Sequence, residues 1–125
     1  MTTAQQAHLV RNFGAPDEVR QFAAHGHSDV VDLDGRTVTL SRFEPGWRWS
    51  VDVAPIAGTS SCQSEHLGYC VSGRMRIRQD DGMTFEVAPG EVVHIRPGHD
   101  GETVGDEPAI FLDFGDVATY ARRQS

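Results

Sequence analysis

Residues 66–114 read HLGYCVSGRMRIRQDDGMTFEVAPGEVVHIRPGHDGETVGDEPAIFLDF, and this stretch decides the fold. Met75 and Ile77 alternate with Arg74, Arg76 and Arg78; Met83, Phe85 and Val87 alternate with polar residues. A two-residue period marks strands with one face buried. Asp80-Asp81-Gly82 lies between the two runs, and Asp-Gly suits a tight primed turn, so a hairpin is expected here. Pro89-Gly90 turns the chain into a strand over Glu91–Ile95, Pro97-Gly98 ends it, and Ala109–Phe114 supplies another. Short strands at regular spacing, punctuated by Gly and Pro, mean a sandwich or a barrel.

Working outward, Thr37-Val38-Thr39-Leu40 alternates and Glu44-Pro45-Gly46 makes a turn. Trp47-Arg48-Trp49-Ser50-Val51-Asp52-Val53 also alternates, which predicts a half-buried strand with both tryptophans on one face. They read as core packing, with a ligand-stacking wall as the other reading. Before residue 36 the alternation fades. Pro16-Asp17-Glu18 followed by Val19, Phe22 and Ala23 predicts a short helix with Pro and acids in its first turn. His25-Gly26-His27-Ser28-Asp29 reads as a loop, its histidines without further ligands nearby, and Asp116–Gln124 has room for a short helix. The expected organisation is an N-terminal segment over 1–35, a barrel over 36–115 and a tail or short helix over 116–125.

Composition sets the class. With 125 residues, 38% of them hydrophobic and 23% charged, the chain suffices for one domain with its own core. Thirteen glycines and six prolines favour many turns. No apolar run approaches the roughly 18 residues a membrane span needs. The start MTTAQQAHLVRNF lacks the layout of a secretory signal, so a cytoplasmic location is expected. A net charge of −7 argues against a nucleic-acid partner, and Arg74, Arg76 and Arg78 read as a solvated strand face. Two cysteines make no disulfide framework. Cys70 reads as a small buried hydrophobe, whereas Cys62 falls beside the histidines.

His66-Leu67-Gly68-Tyr69-Cys70-Val71-Ser72-Gly73 resembles the first cupin motif with its fixed glycine. Pro89 to His99, followed by Gly105-Asp106-Glu107-Pro108, resembles the second. The resemblance covers about residues 36–115 and implies an all-β fold, the double-stranded β-helix or jelly-roll barrel. More narrowly, FEPGWRW, SCQSEHLGY, SGRM, DDG, PGHD and VGDEP resemble a group of small single-domain bacterial cupins. Such cupins are commonly dimeric, and barrel edges need protection, so a homodimer is expected.

The chain departs from the family pattern where the metal ligands belong. Counting back from Gly73 puts His66 at the usual glutamate position, and the two customary histidines fall near Ser60 and Cys62, or Thr59 and Ser61. In the second motif Gly101 stands at the histidine position; aligning backwards from Gly105 with a two-residue shortening places His99 there. The resemblance therefore implies a metal set of His66, His99 and Cys62, with His94 and Glu65 in reserve. Imidazole and thiolate suit Zn, Fe, Ni or Cu rather than Mg or Ca. A metal-free pocket with hydrogen-bonded histidines is the competing reading.

Around these residues, Trp47, Trp49, Tyr69 and Phe85 are candidates for the pocket wall. Tyr69 and Asp113 are candidate catalytic groups. Asp113, set among Phe111, Leu112 and Phe114, is a general base if it points inward and ordinary strand polarity if outward, the simpler reading. Asp100 either orients His99 or serves a turn. Three functions remain open on these residues: a metal-dependent small-molecule enzyme of oxygenase, isomerase, cyclase or lyase type; a small-ligand binding or sensing module; and a structural unit with a filled barrel.

Overall fold

A computed structural model describes residues 8–118 and 120–122. Among the described residues nine strands form in chain order: β1 (Glu18–Gln21), β2 (Gly26–Leu33), β3 (Arg36–Phe43), β4 (His66–Ser72), β5 (Met75–Gln79), β6 (Thr84–Val87), β7 (Val92–Ile95), β8 (His99–Thr103) and β9 (Ala109–Asp113). They make a six-stranded sheet, β1-β2-β3-β9-β4-β7, and a three-stranded sheet, β6-β5-β8. Every pairing is antiparallel. Phe43, Trp47, Cys70, Ile77, Ile95 and Phe111 share the core between the sheets. Phe43 anchors an aromatic cluster, with ring centroids 4.4 Å from Trp47 and 5.5 Å from Phe22.

The turn rhythm of 66–114 holds, with one refinement. Asp80-Asp81-Gly82 is a three-residue loop rather than a two-residue one: Gly82 N–H donates to Gln79 O and Gln79 N–H donates to Met83 O. A turn closed by a left-handed glycine is the standard longer hairpin. Gly73 fixes the turn between β4 and β5. Its φ is +76°, and a Cβ there would lie 2.2 Å from Pro108 O, so no other residue fits.

Four local expectations give way. The first is the loop at 25–29, where residues from Gly26 onward open β2, paired with β3 and, from His27, with β1. Residues 16–23 contain β1 instead of a helix. A helix that short is marginal alone, whereas Glu18 to Gln21 gain a full ladder against Val30 to His27. The six-stranded sheet thus extends N-terminally of residue 36, taking in β1 and β2. Residues 47–53 are not a strand: Trp49–Asp52 is a helical turn, α1, followed by α2 over Ala54–Ala57. Side chains account for the change, since Asp52 accepts from Arg48 N–H at 3.0 Å and Asp100 from Ser50 N–H at 3.0 Å. Such local bonds compete with a ladder. Towards the C-terminus, residues 116–118 and 120–122 run as bends and turns; the rest of the expected C-terminal helix lies outside the described residues.

Candidate metal centre

Strand phase brings three ligand-bearing side chains together. On β4 the inward positions are His66, Gly68 and Cys70, while Leu67, Tyr69 and Val71 face out. His99 opens β8 on the opposite sheet with its side chain buried. Cys62 arrives from the loop after α2 and is locked to His99 by backbone bonds: Cys62 N–H donates to His99 O, and Gly98 N–H to Cys62 O, both at 2.7 Å. One ligand atom from each of Cys62, His66 and His99 lies within 4.8 Å of the others.

Each imidazole is held by its second nitrogen. His66 Nδ1–H donates to Asp113 Oδ2 at 2.5 Å, leaving Nε2 facing Cys62 Sγ at 3.5 Å. His99 Nδ1 lies 2.7 Å from Arg96 O. A carbonyl oxygen only accepts, so that nitrogen carries the proton and Nε2 is the free donor. Histidines held from behind by a carboxylate or carbonyl are the pattern found at metal centres. The 3.5 Å between Sγ and Nε2 also matches the roughly 3.5 Å that a tetrahedral ion imposes on a thiolate and an imidazole. The residues present therefore fit a transition metal.

The same contacts set the charges. Burial pushes the Cys62 thiol up, but hydrogen bonds and charge from His66 and His99 more than reverse this, leaving it at about 6. Burial depresses His66, yet its bonds to Asp113 and Cys62 prevail and hold it at about 9. Without a metal, Cys62 and His66 thus form a thiolate–imidazolium pair at neutral pH. The second thiol differs: burial raises Cys70, with Glu91 adding to the effect, and it stays a core residue.

A cavity of about 50 Å³ adjoins the centre, bordered by His66, His99, Asp113, Tyr120, Trp47 and Trp49. At about 10–15 Å³ per water it holds a few small atoms, so much of the barrel interior is filled by side chains. Trp47 and Trp49 border the cavity, and among the described residues neither buried indole N–H has a hydrogen-bond partner.

Several expected site residues fall elsewhere. Tyr69 points outward and is 39% exposed, which removes it from pocket and chemistry alike. Phe85 packs against the core outside the cavity. Asp113 faces inward, against the simpler reading, because β9 pairs it with Gly68 on one side and Thr39 on the other. It is not a spare base: its carboxylate accepts from His66, Leu67 N–H and Gly115 N–H. Asp100 bonds Ser50 and Gly101 backbone and does not orient His99. His94 and Glu65 pair with each other in solvent at 2.8 Å. His25 bonds the buried Asp52, and His27 lies near Asp29. No motif singles out Tyr120; Val117 and Tyr120 in an otherwise polar tail are the sequence trace of its burial.

The cupin domain profile matches residues 51–115. No curated protein sequence matches the chain. Among solved structures, a double-stranded β-helix protein from Klebsiella pneumoniae is 17% identical with a TM-score of 0.58, covering 88% of this chain and 90% of its own. A protein of unknown function from Rhizobium leguminosarum is 20% identical with a TM-score of 0.56, over 74% of this chain and 81% of its own. A point variant of the oxalate decarboxylase from B. subtilis is 17% identical with a TM-score of 0.57, over 88% of this chain but 30% of its own. At these identities the likeness is one of fold. With more than half its length matched by the domain profile, the chain belongs to the cupin family.

Proposed function

We propose that this cupin holds one divalent transition metal (Zn, Fe, Ni or Cu) on Cys62 Sγ, His66 Nε2 and His99 Nε2, and acts on a small molecule in the adjoining cavity. The observation that carries the reading is the convergence of three donors within 4.8 Å, with both histidines oriented from behind. When bound, the metal would supply a Lewis-acidic position beside the cavity, able to polarise a carbonyl or bind oxygen, as an oxygenase, isomerase, cyclase or lyase could use. The chain's own contribution is to hold the donors, keep His66 and His99 in one tautomer, and wall off water with Trp47 and Trp49. The test is elemental analysis after chelator treatment and zinc repletion. About one equivalent is expected in the wild type and little in His66→Ala or His99→Ala. Substoichiometric metal in the repleted wild type, or the same content in the variants, would sink the site.

One observation favours a second reading, capture without turnover. Asp113 is fully engaged and Tyr69 points away, so no spare general base borders the cavity among the described residues. Metal-dependent ligand binding with no product formed is the result that reading expects.

The partner proposed alongside is a second copy of this chain. The outer face of β3-β9-β4-β7 carries an apolar row: Leu40, Leu112, Tyr69 and Val92 run across it in register, with Leu67 and Ile110 beside them and Arg42 and His94 as polar neighbours. Leu67 is 46% and Val92 71% exposed. Isologous packing of this face would cover it. Sedimentation should show a dimer that Leu67→Glu dissociates; a wild-type monomer at working concentrations contradicts it. Among the described residues no helix is long and apolar enough to cross a membrane.

A further inference from the structure

The segment after β9 closes the site from a side that carries no motif. Its backbone runs back along residues 65–67, with Phe114 N–H donating to Leu67 O and Asp116 N–H to Glu65 O, each at 2.9 Å. Gly115 makes the crossing; a Cβ there would lie 2.6 Å from Glu65 O, so glycine is needed for the approach. Val117 and Tyr120 then turn inward, 1% and 6% exposed, and join the core. The Tyr120 ring stands edge-on to His66 with centroids 5.2 Å apart, packs near Phe22 at 6.4 Å, and forms part of the cavity wall.

Beyond Asp116 the described residues of this segment form no helix or strand of their own. Arg20 of β1 ties them down: Nη1 donates to Val117 O and Tyr120 O at 2.9 Å each, and Nη2 to Ala118 O at 2.8 Å and Glu18 at 3.1 Å. The Arg20 side chain is only 5% exposed. A guanidinium this buried requires such partners, and each charge-assisted bond is stronger than a neutral one. Ala121 adds a φ of +55°, a left-handed conformation that non-glycine residues disfavour. The segment is therefore held in place against local preference.

We propose that Tyr120 is the residue that sets how large a molecule reaches the His66 end of the cavity, and that Arg20 is the positioning residue that keeps its ring there; Cys62 Sγ, 3.5 Å from His66 Nε2, reports access to that end. The inference rests on reading the cavity as the ligand site. It does not need the metal. With the ring seated, only small molecules fit beside His66; with the ring removed or its segment released, the wall beside His66 is gone.

The test uses the full-length, chelator-treated protein and two thiol reagents of different size, methyl methanethiosulfonate and dithiobis(nitrobenzoate). Modification of Cys62 is followed by peptide mass mapping, and Cys70, 0% exposed, reports any unfolding. In the wild type the small reagent should outpace the bulky one. Tyr120→Ala and Arg20→Met should lower that rate ratio by about ten-fold or more by opening access, while Tyr120→Phe keeps the wild-type ratio because the ring is the wall. If Cys70 reacts together with Cys62 in Tyr120→Ala, that variant has unfolded and Tyr120→Leu with Arg20→Met decide the matter. A ratio unchanged in the folded variants overturns the proposal. Failure of the wild type to take up metal would defeat the proposed function and leave this result standing.

Discussion

His66–Asp113 and His94–Glu65 are two histidine–carboxylate pairs set on opposite faces of one sheet. Leu67, next to His66, is the register partner of His94 on β7, and Glu65 directly precedes His66. His66 and Asp113 face inward, with side chains 12% and 13% exposed; His94 and Glu65 face out, at 54% and 52%. The residue types are the same in kind, an imidazole against a carboxylate. Burial, and a third and fourth partner in Cys62 and His99, make one pair a candidate centre and leave the other a surface contact. An exposed pair contributes about 0–1 kcal/mol, whereas the buried one moves His66 to about 9 and Cys62 to about 6.

The largest contrast should appear in metal binding. His66→Ala is expected to lower affinity by about 100-fold or more, beyond the 10–100-fold cost of losing an orienting partner, while His94→Ala stays within about two-fold. Competition against a chromogenic chelator measures both. Equal effects would erase the distinction between the pairs.

Next comes the orienting carboxylate. Asp113→Asn should weaken metal binding by about 10–100-fold, since an amide oxygen still accepts from His66 but carries no charge. Glu65→Gln should leave it unaltered. In the metal-free protein Asp113→Asn should also lower the His66 pKa, which NMR titration of the imidazole can follow.

A subtler effect concerns pH and the metal-free protein. His66 is raised from 6.5 to about 9, so its stabilisation is complete below pH 6.5 and fades as pH rises through about 9. Cys62 is lowered from 9.0 to about 6, so its stabilisation is complete above pH 9 and fades as pH falls through about 6. Between pH 6.5 and 9 the two slopes oppose, and wild-type stability should be nearly flat. Cys62→Ser removes one slope and leaves His66 on Asp113, so stability should now fall as pH rises. Denaturant titrations across that range decide it. A parallel decline in both proteins would contradict the ion pair.

The smallest expected effect belongs to the exposed pair. Glu65→Gln should change unfolding free energy by less than about 1 kcal/mol, and less still at high salt.

Much of the fold was legible because turns and alternation are local signals. Asp80-Asp81-Gly82, Pro89-Gly90 and Gly73 each force a turn by backbone geometry, and the strands between them follow. The cluster of three donors was readable for a related reason: counting from Gly73 and back from Gly105 placed Cys62, His66 and His99, and the structure brings those three side chains together. What failed was decided by distant partners. Whether Asp113 or Tyr69 faces inward depends on the register of β4 against β9, and a one-residue shift reverses every side chain. The 47–53 run alternates like a strand, but Asp52 and Asp100 bond its backbone. Tyr120 carries no local signal, since the guanidinium that bonds its carbonyl belongs to Arg20, a hundred residues earlier in the chain.

The most direct test of the centre is the absorption spectrum of the cobalt-substituted protein. One equivalent of Co²⁺ should give a thiolate-to-metal charge-transfer band and the intense visible bands of a four-coordinate site, with the charge-transfer band lost in Cys62→Ser. The pale spectrum of hydrated, six-coordinate cobalt in the wild type, with no charge-transfer band, would contradict a Cys62–His66–His99 metal site.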